Sequence, residues 1–300
     1  MELSEQLVES SLQSIKQIIN DVKQGSGFGE TALETLASNF ISELSDQKMK
    51  GPLSFPSTDD PQLYPIYHTI RVTALAVLAA SRMGYKGSAL TAIAIGALLH
   101  DIGKINTPDQ LRWKQESDDP YEAETIAEHP TFGASWISRL VTIPETAKQI
   151  IEQHHERFDG KGYPNRLTDN AITREAKLVA LCNGYDFLVT AHPGKDALSP
   201  RDAMFALMKE GGKKFASNLV LSFISASAPV LLDGPLYQLS ALVLLDSKEV
   251  AAVMKVDSWG DTSPDIVILT DARQKKLLRP LAVSLKKDSS RRIVKVLKTG

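Results

Sequence analysis

Two short segments concentrate side chains able to hold a cation. The first, Gly96-Ala97-Leu98-Leu99-His100-Asp101-Ile102-Gly103-Lys104, sets an imidazole beside a carboxylate at the end of a run, Ala89 to Leu99, that is apolar all round. A helix with no polar face is buried, and a charge buried without a partner costs several kcal/mol or changes its protonation state. His100-Asp101 therefore needs a cation, and a metal ion is the natural one. The second segment, His154-His155-Glu156-Arg157-Phe158-Asp159-Gly160-Lys161-Gly162-Tyr163-Pro164, places two adjacent imidazoles ahead of a glycine-rich turn. Neighbouring helical residues point ~100° apart. His154 and His155 cannot both aim at one ion without a local change of backbone, which leaves one for a second ion or a substrate phosphate.

Further histidines stand at positions 68 and 129. Histidine is the commonest metal ligand in proteins, and with Asp101 this set suits two divalent ions. A lone histidine is more often a core or surface side chain with an ordinary hydrogen bond, so the case rests on the ensemble. Lys104 follows the dyad by one helical turn, where an ammonium can stabilise charge developing on an oxygen.

Together the two segments closely resemble the HD-GYP family, metal-dependent phosphodiesterases that hydrolyse cyclic di-GMP. His68 begins a helix running through Arg71, Leu75 and Leu78, as the first ligand does in HD domains. His129-Pro130 with Gly133-Ala134 resembles the family's His-Pro-x-x-Gly, Glu122 matches a glutamate seven residues earlier, and Pro108, Leu111 and Lys114 match its proline-to-lysine stretch. The resemblance covers roughly Tyr64 to Lys214, and His-His-Glu-x-x-Asp-Gly-x-Gly-Tyr-Pro is its most specific part. It implies that Asp101 bridges two divalent ions, with His68 and His100 completing one site, and His129, His154 and His155 the other. Asn183 occupies a further ligand position. A hydroxide between the ions would open the dinucleotide to pGpG and perhaps on to GMP. Asp101 and Lys104 are the implied catalytic residues, and Lys104, Lys114, Tyr163, His192 and Lys195 the implied substrate contacts. Nitrogen and oxygen ligands admit iron, manganese, nickel, cobalt or zinc; iron or manganese is the expectation. Gly160, Gly162 and Pro164 would shape a rigid loop, on which Tyr163 packs, contacts substrate or meets a signalling protein.

Three departures bear on activity. Leu181-Cys182-Asn183-Gly184-Tyr185-Asp186 stands where the family has Ala-Asp-x-x-Asp, so Asn183 replaces a ligand aspartate. An amide oxygen coordinates without charge and holds an ion less tightly. Tyr64 occupies the place of a glutamate found in members with a third ion, so two ions are expected. His192-Pro193-Gly194-Lys195 aligns with Arg-Pro-Tyr-Arg, and Gly194 lacks the ring. A second reading, a weak or inactive protein serving as a cyclic di-GMP receptor, therefore stays open, as does hydrolysis of another nucleotide.

The supporting elements are also legible. The 300 residues are 43% hydrophobic and 23% charged with a formal net charge of −2. That suffices for a real core and supplies no global field toward a nucleic-acid polymer or an anionic membrane. The single cysteine, Cys182, excludes an intrachain disulfide and fits a reducing, cytoplasmic compartment. No signal peptide is expected, and the apolar runs fall short of a membrane span. Residues 3–24 repeat Leu7, Val8, Leu12, Ile15, Ile18, Ile19 and Val22 at helical spacing, Gly25–Gly29 breaks the run, and Thr31–Asp46 reads as a second helix. Residues 1–60 thus form an N-terminal helical region that packs on the core or joins two copies in a homodimer. Residues 61–228 read as the HD-GYP domain, a mainly α bundle. Residues 229–300 carry five β-branched runs separated by turns, Ala241–Leu245, Val250–Val256, Ile266–Leu269, Leu281–Leu285 and Ile293–Leu297, predicting a small antiparallel β domain.

Overall fold

Capping residues and glycines set the limits of the first helices in a computed structural model that describes residues 2–46, 49, 51–192 and 195–298. Helix α1, Glu5–Gln24, starts where Ser4 accepts a hydrogen bond from the Leu7 amide and stops at Gly25, whose φ is +66°. Helix α2 spans Glu30–Leu44. The apolar faces of both pack against α3, Tyr64–Arg82, and α2 also against α4, Gly87–Leu99. Leu7, Ile15, Leu33, Leu36 and Phe40 are buried in a core continuous with the bundle.

Helix α4 is the centre of that bundle, as its uniform apolarity requires. With the 3₁₀ turn Ile102–Asn106 it forms an apolar stretch of 20 residues, Gly87–Asn106, long enough to cross a membrane by length and composition. The run therefore does not fall short of a span, as its helical part alone suggested. Its most apolar window is 78% buried within the protein, which assigns it to the core. The helices that follow are α5, Pro120–Ala127, α6, His129–Leu140, α7, Glu145–Gln153, α8, Arg174–Val189, α9, Pro200–Lys209, and α10, Ser217–Leu231. Helix α7 packs on α4, α6 and α8, and α8 packs on α3.

The C-terminal sheet comprises β1, Leu242–Leu245, β2, Val250–Lys255, β3, Asp265–Thr270, β4, Lys276–Ser284, and β5, Ile293–Lys298, in the order β4-β3-β2-β1-β5. All four pairings are antiparallel. Alternate residues Val243, Leu245, Ala251, Val253, Ile266 and Ile268 are buried, the period of two expected of a half-covered sheet. Strand β4 begins five residues before Leu281, its expected start. Its first half, with Leu278 fully exposed, carries no burial alternation from which to read a strand. Pro280 is tolerated there because β4 lies at the sheet edge. The chain is thus mainly α, a helical bundle with N-terminal helices and a small antiparallel sheet.

One close approach fixes the turn that carries the metal dyad. A Cβ on Gly103 would lie 1.9 Å from the carbonyl oxygen of His129 and 2.7 Å from the Gly133 amide nitrogen. Both obstacles are backbone and cannot rotate away. Gly103→Ala is expected to destabilise the protein by about 3 kcal/mol, the upper range for forced overpacking. Urea unfolding measures it; wild-type stability in the variant would show that the turn can retreat from α6.

Candidate metal centre

Three of the histidines are fixed by one device. Nδ1 of His100 is 2.7 Å from the Ala97 carbonyl oxygen, Nδ1 of His129 is 2.6 Å from that of Ile126, and Nδ1 of His154 is 2.9 Å from that of Ile151. Each partner lies three residues back, in the last turn of α4, α5 or α7, where helical carbonyls lack an amide partner. A carbonyl only accepts, so each Nδ1 carries the proton and donates, and each Nε2 presents a lone pair. His68 reaches the same state by another route. Its Nδ1 donates to Asp186 Oδ2 at 2.7 Å. Asp186 is itself held by Arg71, whose Nε and Nη2 donate to the two carboxylate oxygens at 2.6 and 3.1 Å.

The four Nε2 atoms converge on Asp101 in pairs. His68 and His100 each lie 3.5 Å from Oδ2, while His129 and His154 lie 3.3 and 3.6 Å from Oδ1. Nε2 of His129 and Nε2 of His154 are 3.2 Å apart. Among the described residues, the buried Nε2 atoms of His68, His100 and His155 have no hydrogen-bond partner. Protonating His100, His129 or His155 is not the remedy. Burial pushes His100 down to about 3 and His129 down to about 4, and holds His155 well below its ordinary range. Burial would raise Asp101, but the Lys104 ammonium, 2.8 Å from Oδ2, outweighs it and holds the carboxyl well below the usual range. A buried carboxylate ringed by nitrogen lone pairs fits divalent cations.

The ligand atoms fall into two groups that share Asp101, one with His68 and His100, the other with His129, His154 and His155. The adjacent pair enters one group at the very end of α7, where His154 is the C-cap, its amide still bonded to the Ile150 carbonyl, and His155 lies one residue beyond it. His155 is buttressed by Tyr163, stacked at 4.6 Å with planes 19° apart. The Tyr163 hydroxyl donates to the Gln115 carbonyl at 3.3 Å.

Other expected site residues have additional partners. The Asn183 side-chain oxygen accepts from the Gln115 amide at 2.7 Å, leaving one lone pair for an ion. Lys114 pairs with Glu122 at 2.5 Å. His192 stacks on Phe187, over whose ring Lys195 also lies. Tyr64 lies parallel to His68 at 6.2 Å, with the Arg71 guanidinium over its ring. Gly194 and Pro193 lie outside the described residues. In the Gly-Tyr-Pro loop, Glu156 accepts the Asn165 and Leu167 amides at 2.7 and 2.8 Å, and Asp159 clasps Arg157. These carboxylates shape the loop. A Cβ on Gly162 would come within 2.5 Å of the Arg157 nitrogen and the His155 oxygen, so only glycine lets the loop fold back here. A cavity of about 310 Å³ beside the centre is lined by His154, His155, Tyr163, Asn183, Gln115 and Lys214 among others. Sequence reasoning missed Asp186 and Arg71 as positioning residues and Gln115 altogether. Three-residue spacing from His68 to Arg71 was the available signal.

Two predictions arise from this geometry. Asp186→Ala leaves the buried Arg71 guanidinium unpaired and frees the His68 ring. It is expected to cost about 3–5 kcal/mol and to lower bound metal, read by urea unfolding and elemental analysis; unchanged metal content would show that His68 needs no such anchor. The second concerns acid. Folded His100 and His129 titrate below the ordinary histidine value near 6.5, so below that pH the unfolded chain binds more protons. Their contribution to stability is complete above about pH 6.5 and falls toward pH 4 and 3. The thermal midpoint should therefore drop as pH falls through this window, and a flat midpoint there would contradict the assigned neutral rings.

Known proteins share this arrangement of elements. The HD domain family profile matches residues 52–219. A cyclic di-GMP phosphodiesterase of Pseudomonas aeruginosa is 26% identical over 242 residues, 80% of this chain and 56% of that protein. One from Thermotoga maritima is 34% identical over 158 residues, 52% of this chain and 43% of its own length. A cyclic di-GMP phosphodiesterase response regulator of Xanthomonas campestris is 32% identical over 162 residues, 53% and 42% of the two chains. The chain spans about half the length of these relatives. Among solved structures, an HDG"Y"P protein from Bdellovibrio bacteriovorus shares the fold with a TM-score of 0.56 at 19% identity, over 72% of this chain and 69% of that one. The chain belongs to the HD domain family.

Proposed function

We propose that this chain hydrolyses cyclic di-GMP, opening it to linear pGpG and cleaving that to GMP, with two divalent ions held across Asp101. The observation that carries this reading is the pairing of four Nε2 atoms on the two oxygens of one buried carboxylate. The relatives named as cyclic di-GMP phosphodiesterases support the substrate. His68, His100 and Asp101 would hold one ion; Asp101, His129, His154 and His155 the other, with the remaining Asn183 lone pair as a further ligand. Iron and manganese both suit these donors. Bound ions of this kind supply Lewis acidity and a nucleophilic water at neutral pH.

The chain's own groups do the rest. Lys104 sits within the centre and stabilises charge developing on the phosphoryl oxygens. Lys114 and Lys195 attract the dinucleotide phosphates, and Tyr163 fixes the His155 ring at the edge of the cavity. The Gly-Tyr-Pro loop is a candidate contact for a signalling protein. The lone buried Cys182 supports a cytoplasmic location. A receptor reading has one observation in its favour: the Asn183 oxygen is shared with Gln115 and brings no charge to the ions.

Product formation against metal concentration separates the two. Hydrolysis is expected to be weak, to depend on added divalent metal, and to rise in Asn183→Asp, which returns a negative charge to the ligand shell. Nucleotide binding without pGpG or GMP at saturating metal favours the receptor. Full wild-type activity without added metal, unimproved by Asn183→Asp, would remove Asn183 as the weak point. Lys104→Ala is expected to keep its metal and lose roughly 10²–10³-fold in turnover, as for loss of one preorganised donor; loss of metal instead would assign Lys104 to assembly of the centre.

A further inference from the structure

The hairpin between β3 and β4 ends in a bulge that carries more apolar surface and more charge than an edge strand needs. Between the pairs Ile268–Leu281 and Thr270–Lys276, β3 contributes Leu269 alone while β4 contributes Leu277, Leu278, Arg279 and Pro280. A bulge of this kind turns its extra residues out of the ladder. Leu277 packs back on the core, whereas Leu278 is fully exposed and Leu281 is 53% exposed. Four exposed cations flank these leucines in the chain, Arg273, Lys275, Lys276 and Arg279. Within residues 271–281 the only carboxylate is Asp271, whose Oδ1 accepts the Arg273 and Lys275 amides and so closes the turn. None of the four cationic side chains forms an ion pair with a described residue; the paired cations of the sheet, Lys255, Lys286 and Arg291, lie elsewhere.

We propose that this hairpin tip docks the protein on an anionic lipid surface, with Leu278 and Leu281 entering the headgroup boundary and the four cations meeting lipid phosphates. The docking is independent of the chemistry at Asp101. Edge strands are ordinarily blunted by Lys, Pro and bulges, which keep other strands from pairing. Lys276, Pro280 and the bulge already do this for β4, so an added strand is a poor occupant. A fully exposed leucine defeats that protection, and its presence calls for an apolar medium. None of the principal cavities involves the tip, so it offers no groove in which a helix could lie. It also carries no aromatic ring on which a nucleic-acid base could stack. Charge and apolarity together match the boundary layer of a bilayer, where cations near an anionic surface and buried apolar area both add affinity. The formal net charge of the whole chain is −2, and screening confines the field of the tip to ~10 Å. The contact is therefore made by the tip and not by the overall charge.

The test is co-sedimentation of the full chain with vesicles of phosphatidylglycerol and phosphatidylcholine in equal parts, and with vesicles of phosphatidylcholine alone. Wild type is expected to pellet with the first at low salt, to be released by added salt, and to ignore the second. Leu278→Ser should weaken the partition roughly tenfold, from the loss of one buried leucine. Lys276→Ser and Arg279→Ser should each weaken it about fivefold, the contribution of one cation near the surface. All three residues are exposed, so the substitutions should leave the thermal midpoint unchanged. A wild type that stays in solution with the anionic vesicles overturns the proposal, as does binding that survives Leu278→Ser together with Arg279→Ser. Loss of binding in the cation variants with Leu278→Ser unaffected also overturns it, since adsorption by charge alone needs no leucine. A preference for soluble polyglutamate over the anionic vesicles overturns the lipid surface in favour of an acidic protein partner.

Discussion

The centre of this protein is organised by the need to neutralise one buried carboxylate. Asp101 stays ionised among nitrogen lone pairs, and Lys104 alone cannot serve both of its oxygens. Every element that touches the centre answers to that requirement. Helix α4 delivers Asp101, α3 delivers His68, and the ends of α5 and α7 deliver the second group. The centre is thereby a junction of helix termini. Each contributes a carbonyl that would otherwise be unsatisfied and a histidine that satisfies it. One hydrogen bond per ring settles the tautomer and leaves the opposite nitrogen for an ion, which is the usual task of groups behind a metal ligand.

His68 is the exception. It lies inside α3, four residues into the helix, where backbone carbonyls are occupied by the helix itself. Its Nδ1 needs a side-chain acceptor, and Asp186 on α8 is that acceptor. A second buried carboxylate then needs a cation of its own, supplied by Arg71 one turn along the His68 helix. The two carboxylates are thus handled differently: Asp101 faces the Nε2 atoms of four histidines, while Asp186 is saturated by Arg71 and His68.

Much of this was legible in the sequence because it depends on residue type and spacing. His100-Asp101 at the end of an apolar run signalled a buried charge, and the His154-to-Pro164 segment carried the family resemblance. The mainly helical class and the five strands followed from periodicity. Asp186 was matched to the resemblance, yet its role was invisible, since that role depends on Arg71 and His68 lying across a helix interface. Gln115 gave no signal at all; its bond to Asn183 joins residues 68 positions apart. The early start of β4 escaped because an exposed hairpin extension buries nothing and so leaves no alternation.

The apolarity of α4 has a consequence for how the chain is made. Gly87–Asn106 is as hydrophobic as a membrane segment, and what distinguishes it is the cover supplied by α2, α3 and α7. The first two are already synthesised when α4 emerges, but α7 follows only at Glu145–Gln153. Until then one side of the most apolar helix is bare, and Gly96, against which Ile150 will close to within 3 Å of a virtual side chain, marks that side. The nascent chain therefore passes through an interval in which it offers a sticky, insertable surface. Delay before α7, through a long pause or a destabilised α7, turns a core helix into a target for chaperones or for the membrane.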